Sequence, residues 1–108
     1  MNKIKFDKTM EEVKLDMETR HDLLVIDVRE EDEYAQGHIP GALWKPLRTL
    51  KEHTQELRAI HKDIYVYCRS GQRSRAACRI LKEEGITNVY NIGGILQWTY
   101  DVNKGMEA

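Results

Sequence analysis

At 108 residues the chain fits a single domain, residues 1–108, and leaves no room for a second. With 41% hydrophobic and 32% charged residues it has the make-up of a globular domain rather than a disordered segment. A formal net charge of −1 removes the bulk electrostatic case for nucleic-acid or membrane binding, and the longest apolar runs, such as Leu23 to Ile26, are too short to span a bilayer.

In chain order, Ile4 to Phe6 predicts a short first strand. Thr9-Met10-Glu11-Glu12 has the form of a capping box, with Val13 and Met17 at helical spacing from Met10. Leu23 to Val28 is apolar and β-branched, as in a central strand. Glu30 to Gln36 predicts a short acidic helix stopped by Gly37, and Gly41 to Trp44 a brief strand. Thr49-Leu50-Lys51-Glu52 reads as a second capping box, with Leu50, Leu57 and Ile60 on one helix face. Ile64 to Tyr67 is the next strand, and Ser74 to Glu84 a helix with Ala77, Ile80 and Leu81 inward, capped by Gly85 and Ile86. Val89 to Ile92 predicts a last strand, and Ile95, Trp98 and Val102 a final helix. Strands alternating with helices of about ten residues predict a parallel sheet covered on both faces, a three-layer α/β/α domain. Ligands bind at the carboxyl ends of such strands, where Asp27, Arg29 and Cys68 fall.

Cys68 is the residue with the most chemistry. It ends a strand, is followed by Arg69, Ser70, Gly71, Gln72 and Arg73, and precedes a helix predicted to start at Ser74. Unpaired N–H groups and the positive end of the helix dipole converge there, which favours anions and an acidic thiol. A structural cysteine ending a strand is the plainer reading. Against it stand Arg69, Arg73 and Arg75, with no acid between Cys68 and Arg79. The only other cysteine, Cys78, sits beside Ala77 and Leu81 and reads as a small core residue, with a resolving thiol as the minority option. Two cysteines make no disulfide framework, and no zinc-ligand spacing or cofactor motif is present. The N-terminus lacks the apolar stretch of a signal peptide. The expected compartment is therefore a reducing cytoplasm, in which Cys68 stays a thiol.

Three motifs in order carry a family resemblance. Asp27-Val28-Arg29-Glu30, Glu33-Tyr34 and Gly37-His38-Ile39-Pro40-Gly41-Ala42 resemble the first signature of the rhodanese family, and Gly93-Gly94-Ile95-Leu96-Gln97-Trp98 resembles its second. Between them, Cys68-Arg69-Ser70-Gly71-Gln72-Arg73 is similar to the six-residue active-site loop of rhodanese sulfurtransferases. The resemblance runs from about Leu24 to Trp98. It implies a five-stranded, mainly parallel sheet and a persulfide on the loop cysteine. It also implies a small anionic sulfur donor, thiosulfate or a persulfide, and as acceptor cyanide, a thiol or a sulfur-carrier protein. Independently of family, sulfur transfer needs a soft nucleophile that is also a leaving group, and a thiolate is both.

Around Cys68 as nucleophile, Arg69, Ser70, Gly71, Gln72, Arg73 and Ser74 are the expected anion-holding loop, with a left-handed Gly71 closing a ring of N–H groups. Arg69 and Arg73 either steer the anion or fix the loop. Asp27 is expected to accept bonds from the loop or pair with an arginine, and Arg29 to pair with carboxylates. His38 reads as a satisfied turn histidine rather than a general base, because thiolate chemistry needs little base help. Gly93 and Gly94 are expected to make a tight turn after the last strand, and Trp98 to pack the core. Phosphatases that share the fold carry Cys-x5-Arg, since phosphate needs a wider ring; here Cys68 to Arg73 is Cys-x4-Arg, although Arg75 stands close by. A redox-sensing or interaction module on the same fold is the non-enzymatic alternative.

Overall fold

The computed structural model describes residues 5–108. Four strands, β1 (Leu23–Asp27), β2 (Leu43–Trp44), β3 (Asp63–Cys68) and β4 (Val89–Gly94), form one parallel sheet in the order β2-β1-β3-β4. The helices α1 (Met10–Thr19), α2 (Glu31–Gln36), α3 (Thr54–Ile60) and α4 (Gln72–Glu83) lie between and around them. Parallel neighbours need a crossover, so the chain must pass over a sheet face between strands. β1 and β3 are bonded on both edges, which is why they read as unbroken apolar runs.

The twofold alternation of a strand divides the core. Ile64, Val66 and Cys68 face a cluster built with Leu50, Leu57, Ala77, Cys78 and Leu81. Tyr65 and Tyr67 face the opposite cluster, with Met10, Val13, Ile39, Ala42 and Trp98. Cys68 therefore points toward α4 because it falls in step with Ile64 and Val66. This is the expected three-layer arrangement.

Several expectations need correction. Among the described residues the sheet has four strands, not five. Of the predicted first strand, Ile4 lies outside the described residues, and Lys5 and Phe6 are not in a strand. The edge of β4 is met instead by one residue: Asp7 donates its N–H to the Asn91 carbonyl and accepts the Asn91 N–H on its carboxylate, both at 2.8 Å. The capping box at Thr9 and Glu12 forms, with bonds of 2.9 and 3.1 Å. The one at Thr49 does not: Leu47–His53 is a 3-10 helix and α3 begins at Thr54. In that tighter coil residues three apart eclipse, which sends both Leu47 and Leu50 into the core. The final helix is a single 3-10 turn, Ile95–Gln97. Beyond it Asn103 and His38 exchange backbone bonds of 2.9 and 3.0 Å, which draws the chain away and leaves Val102 exposed. α4 is capped as expected by a left-handed Gly85, with the Ile86 N–H on the Leu81 carbonyl at 2.9 Å.

Candidate active site

The site is built where β3 becomes α4. Gly71, at φ 106°, turns the chain so that α4 starts at Gln72, two residues before the predicted Ser74. The turn brings the N–H of Gly71 to 3.0 Å and that of Ser74 to 3.4 Å from the Cys68 sulfur, with Ser74 Oγ at 3.5 Å. Burial pushes the Cys68 thiol up, but the hydrogen-bonding contacts around the sulfur, the backbone N–H groups of Ser74, Gly71 and Ser70 among them, outweigh it, and the thiol is more acidic than usual. Cys78 is buried on α4 without such donors, and desolvation pushes it up to about 12. The N–H groups expected at the helix start are thus in contact with the sulfur, while the arginines, the other expected cause, form no hydrogen bond to it among the described residues.

Those arginines are spent in different ways. Arg73 is clamped to Glu33 of α2 by two bonds of 2.7 and 2.9 Å, so its charge is used inside the protein. Arg75 lies on the other side of α4, lining a cavity with Cys78, Arg79 and Asn91. Arg69 is exposed, and among the described residues no carboxylate pairs with it. It lines a cavity of about 290 Å³ beside the loop, together with Arg29, Glu33, Gln36, Gly37 and Ile95. Ser70 and Gln72 are exposed on the loop.

Asp27 and Arg29 form a buried pair at the end of β1. The guanidinium donates to both carboxylate oxygens at 2.7 to 3.0 Å, and the Arg29 N–H adds a bond of 2.9 Å. Of the two partners foreseen for Asp27, the arginine is the one it takes. Arg29 also donates to the Gly37 carbonyl at 2.7 Å and lies over the Tyr67 ring. His38 is fully buried and stacked on Tyr34, with its ring nitrogens 2.8 Å from the carbonyl oxygens of Tyr34 and Glu107. It is occupied in its turn and does not serve the thiol.

The glycine pair does more than turn the chain. Gly93 and Gly94 are the last residues of β4, not a turn after it. A Cβ on Gly94 would stand 2.0 Å from the Arg69 carbonyl oxygen, so only glycine lets β4 pass under the loop. Phe6 lies against Gly71 and Gly93 in the same layer.

Sequence reasoning missed Asn91. Its side-chain oxygen accepts from Ser74 Oγ at 2.7 Å and from the Gly93 N–H at 3.0 Å, and its amide donates to the Gly71 carbonyl at 3.3 Å. The available signal was a lone amide inside the apolar run Val89 to Ile92. Among the described residues no cluster of His, Cys, Asp and Glu could hold a metal ion, and no helix is long and apolar enough to cross a membrane.

Comparison with known proteins agrees with this architecture. A family model described as a rhodanese-like domain matches residues 9–101. A sulfurtransferase of Allochromatium vinosum is 41% identical over 78 residues, covering 71% of this chain and 72% of that protein. The uncharacterized protein YqhL of Bacillus subtilis is 43% identical over 75 residues, 68% of this chain; the chain covers only 59% of YqhL's own length, and 49% of another Bacillus subtilis relative, YrkF. Among solved structures, an Escherichia coli rhodanese with anions superposes with a TM-score of 0.70 at 36% identity, over 77% of this chain and 99% of that one.

Proposed function

The chain belongs to the rhodanese-like domain family, and on that premise we propose that it is a sulfurtransferase working through a persulfide on Cys68. The Cys68 thiolate attacks the outer sulfur of thiosulfate; the S–S bond breaks and sulfite leaves with its electron pair. A persulfide donor reacts in the same way and releases a thiolate. The acceptor, cyanide or a thiol on a small molecule or sulfur-carrier protein, then attacks the outer sulfur and returns Cys68 to thiolate. The work requires a reducing compartment such as the cytoplasm.

One observation carries the reading: a buried sulfur held by the N–H groups of Gly71 and Ser74 at a helix start. Those donors stabilise the thiolate that must attack the donor's sulfur. Arg69, unpaired and exposed at the neighbouring cavity, recruits the anionic donor, while Arg73 fixes the loop against α2. The Cys-x4-Arg count argues against a phosphatase, because Ser74 stands at the sixth position after Cys68, where a phosphatase carries its arginine.

Intact mass spectrometry after incubation with thiosulfate tests the proposal. The expected result is one added sulfur, removed by reductant, absent in Cys68→Ser and retained in Cys78→Ser. Failure of thiosulfate, glutathione persulfide and protein persulfides alike to load Cys68 would refute it.

A further inference from the structure

Ser74 has one hydroxyl hydrogen and more than one claimant for it. Asn91 Oδ1 lies 2.7 Å from Ser74 Oγ, the Gly93 carbonyl 3.4 Å and the Cys68 sulfur 3.5 Å. The shortest contact holds the hydrogen. The orientation of the Asn91 amide is fixed from both ends, because its oxygen takes the Gly93 N–H at 3.0 Å and its nitrogen gives to the Gly71 carbonyl at 3.3 Å. Its backbone is fixed as well, by the paired bonds to Asp7.

The register of β4 shows what builds this arrangement. Val66 pairs with Asn91 but Tyr67 pairs with Gly93, so Ile92 is an extra residue and the strand bulges there. The bond from Asn91 Oδ1 to the N–H two residues on closes the bulge, and Gly93 supplies the positive φ of 95° that it needs. Thus one buried amide shapes the strand under the loop and faces the hydroxyl beside the sulfur.

We infer that Asn91 is a positioning residue for Cys68, acting through Ser74: it holds the Ser74 hydroxyl hydrogen away from the sulfur and leaves the thiolate to the backbone N–H groups alone. The chemical benefit is nucleophilicity. A thiolate that accepts an additional O–H bond is stabilised and its attacking electron pair is less available, since thiol nucleophilicity rises and falls with basicity. A backbone cradle without the hydroxyl supports ionisation while sparing reactivity. The inference rests on the sulfurtransferase reading only in taking Cys68 as the working nucleophile.

The test is the rate of Cys68 alkylation by iodoacetamide against pH, measured with no sulfur donor. Its outcome is therefore independent of whether persulfide forms. Asn91→Ala frees the Ser74 hydroxyl to turn onto the sulfur. The apparent pKa should fall, and the limiting rate at high pH should fall with it, about threefold for each unit at the usual dependence of thiol reactivity on basicity. In a Ser74→Ala background the same change should leave the profile where Ser74→Ala alone puts it. Asn91→Asp keeps an acceptor for Ser74 and Gly93 but brings a negative charge close to the sulfur, so the pKa should rise. A purely structural role would move both substitutions in one direction, through a loosened loop. An unchanged or raised pKa in Asn91→Ala, a lowered one in Asn91→Asp, or a shift that survives in the Ser74→Ala background would overturn the inference. Should Asn91→Ala not fold, the direction of the Asn91→Asp shift decides alone.

Discussion

The Arg73–Glu33 clamp ties the first turn of α4 to α2, and its contribution can be worked out. The Arg73 hydrogen bonds are the main reason that the Glu33 carboxyl is held down from 4.5 to about 2. At about 1.36 kcal/mol per unit, that span is worth roughly 3 kcal/mol between the two protonation states. The side chains are 35% and 27% exposed, so solvent screening reduces the figure to about 1 kcal/mol. Glu33→Gln is the clean perturbation, because glutamine still accepts the Glu30 N–H that now closes the start of α2. At neutral pH it should lower the melting temperature by roughly 4–8 °C. The sign with pH follows from a carboxyl whose folded value is depressed. Its stabilisation is present above the ordinary value near 4.5 and is lost as pH falls toward the folded value of about 2. The gap between wild type and Glu33→Gln should therefore narrow progressively below about pH 4.5. Thermal melts followed by circular dichroism across that range measure it. A gap of the same size at neutral and strongly acidic pH, or none at neutral pH, would refute the ion-pair account.

Three other outcomes are expected. Peptide mapping after brief alkylation at neutral pH should find label on Cys68 and not Cys78, whose thiol stands at about 12; equal labelling would contradict the donor-based account of acidity. Gly94→Ala, at an ordinary φ of −130°, should nevertheless cost about 3 kcal/mol in urea titration, because its methyl group would meet the Arg69 carbonyl rigidly; wild-type stability would show that the loop gives way. Asp27→Asn leaves the Arg29 charge buried without its counterion and should cost about 3–5 kcal/mol, and an unchanged urea midpoint would show the pair to be idle.

The parts of the fold legible in the sequence are those set by local periodicity and local chemistry. The alternation from Ile64 to Cys68, the Thr9 capping box and the Gly85 stop each depend on residues close in the chain, and each formed. Where partners distant in sequence decide, the reading went astray. Thr49 had the right neighbours for a cap, yet the demand that Leu47 and Leu50 both reach the core imposed a 3-10 coil. Ile95, Trp98 and Val102 had helical spacing, but pairing of Asn103 with His38 pulled the chain straight. At the site, Cys68 and its loop stand out in the sequence because the anion cradle is local. The use of Arg73 depends on Glu33, which lies forty residues earlier in the chain, and that of Ser74 on Asn91, seventeen residues later. No spacing rule discloses such pairs.

The parallel order β2-β1-β3-β4 also bears on when the thiol becomes reactive as the chain folds. The loop hexapeptide is contiguous, but what shapes it arrives late. Gly94, which passes beneath Arg69, and Asn91, which anchors Ser74 and Gly71, both belong to the last strand. Parallel strands close long loops before any contact rewards them, so this docking is among the slower steps of assembly. A chain emerging from the ribosome with β4 still unmade carries the Cys68 loop without the strand that passes beneath Arg69 and without the amide that anchors Ser74 and Gly71. The setting of the thiol is therefore completed only when the last strand docks.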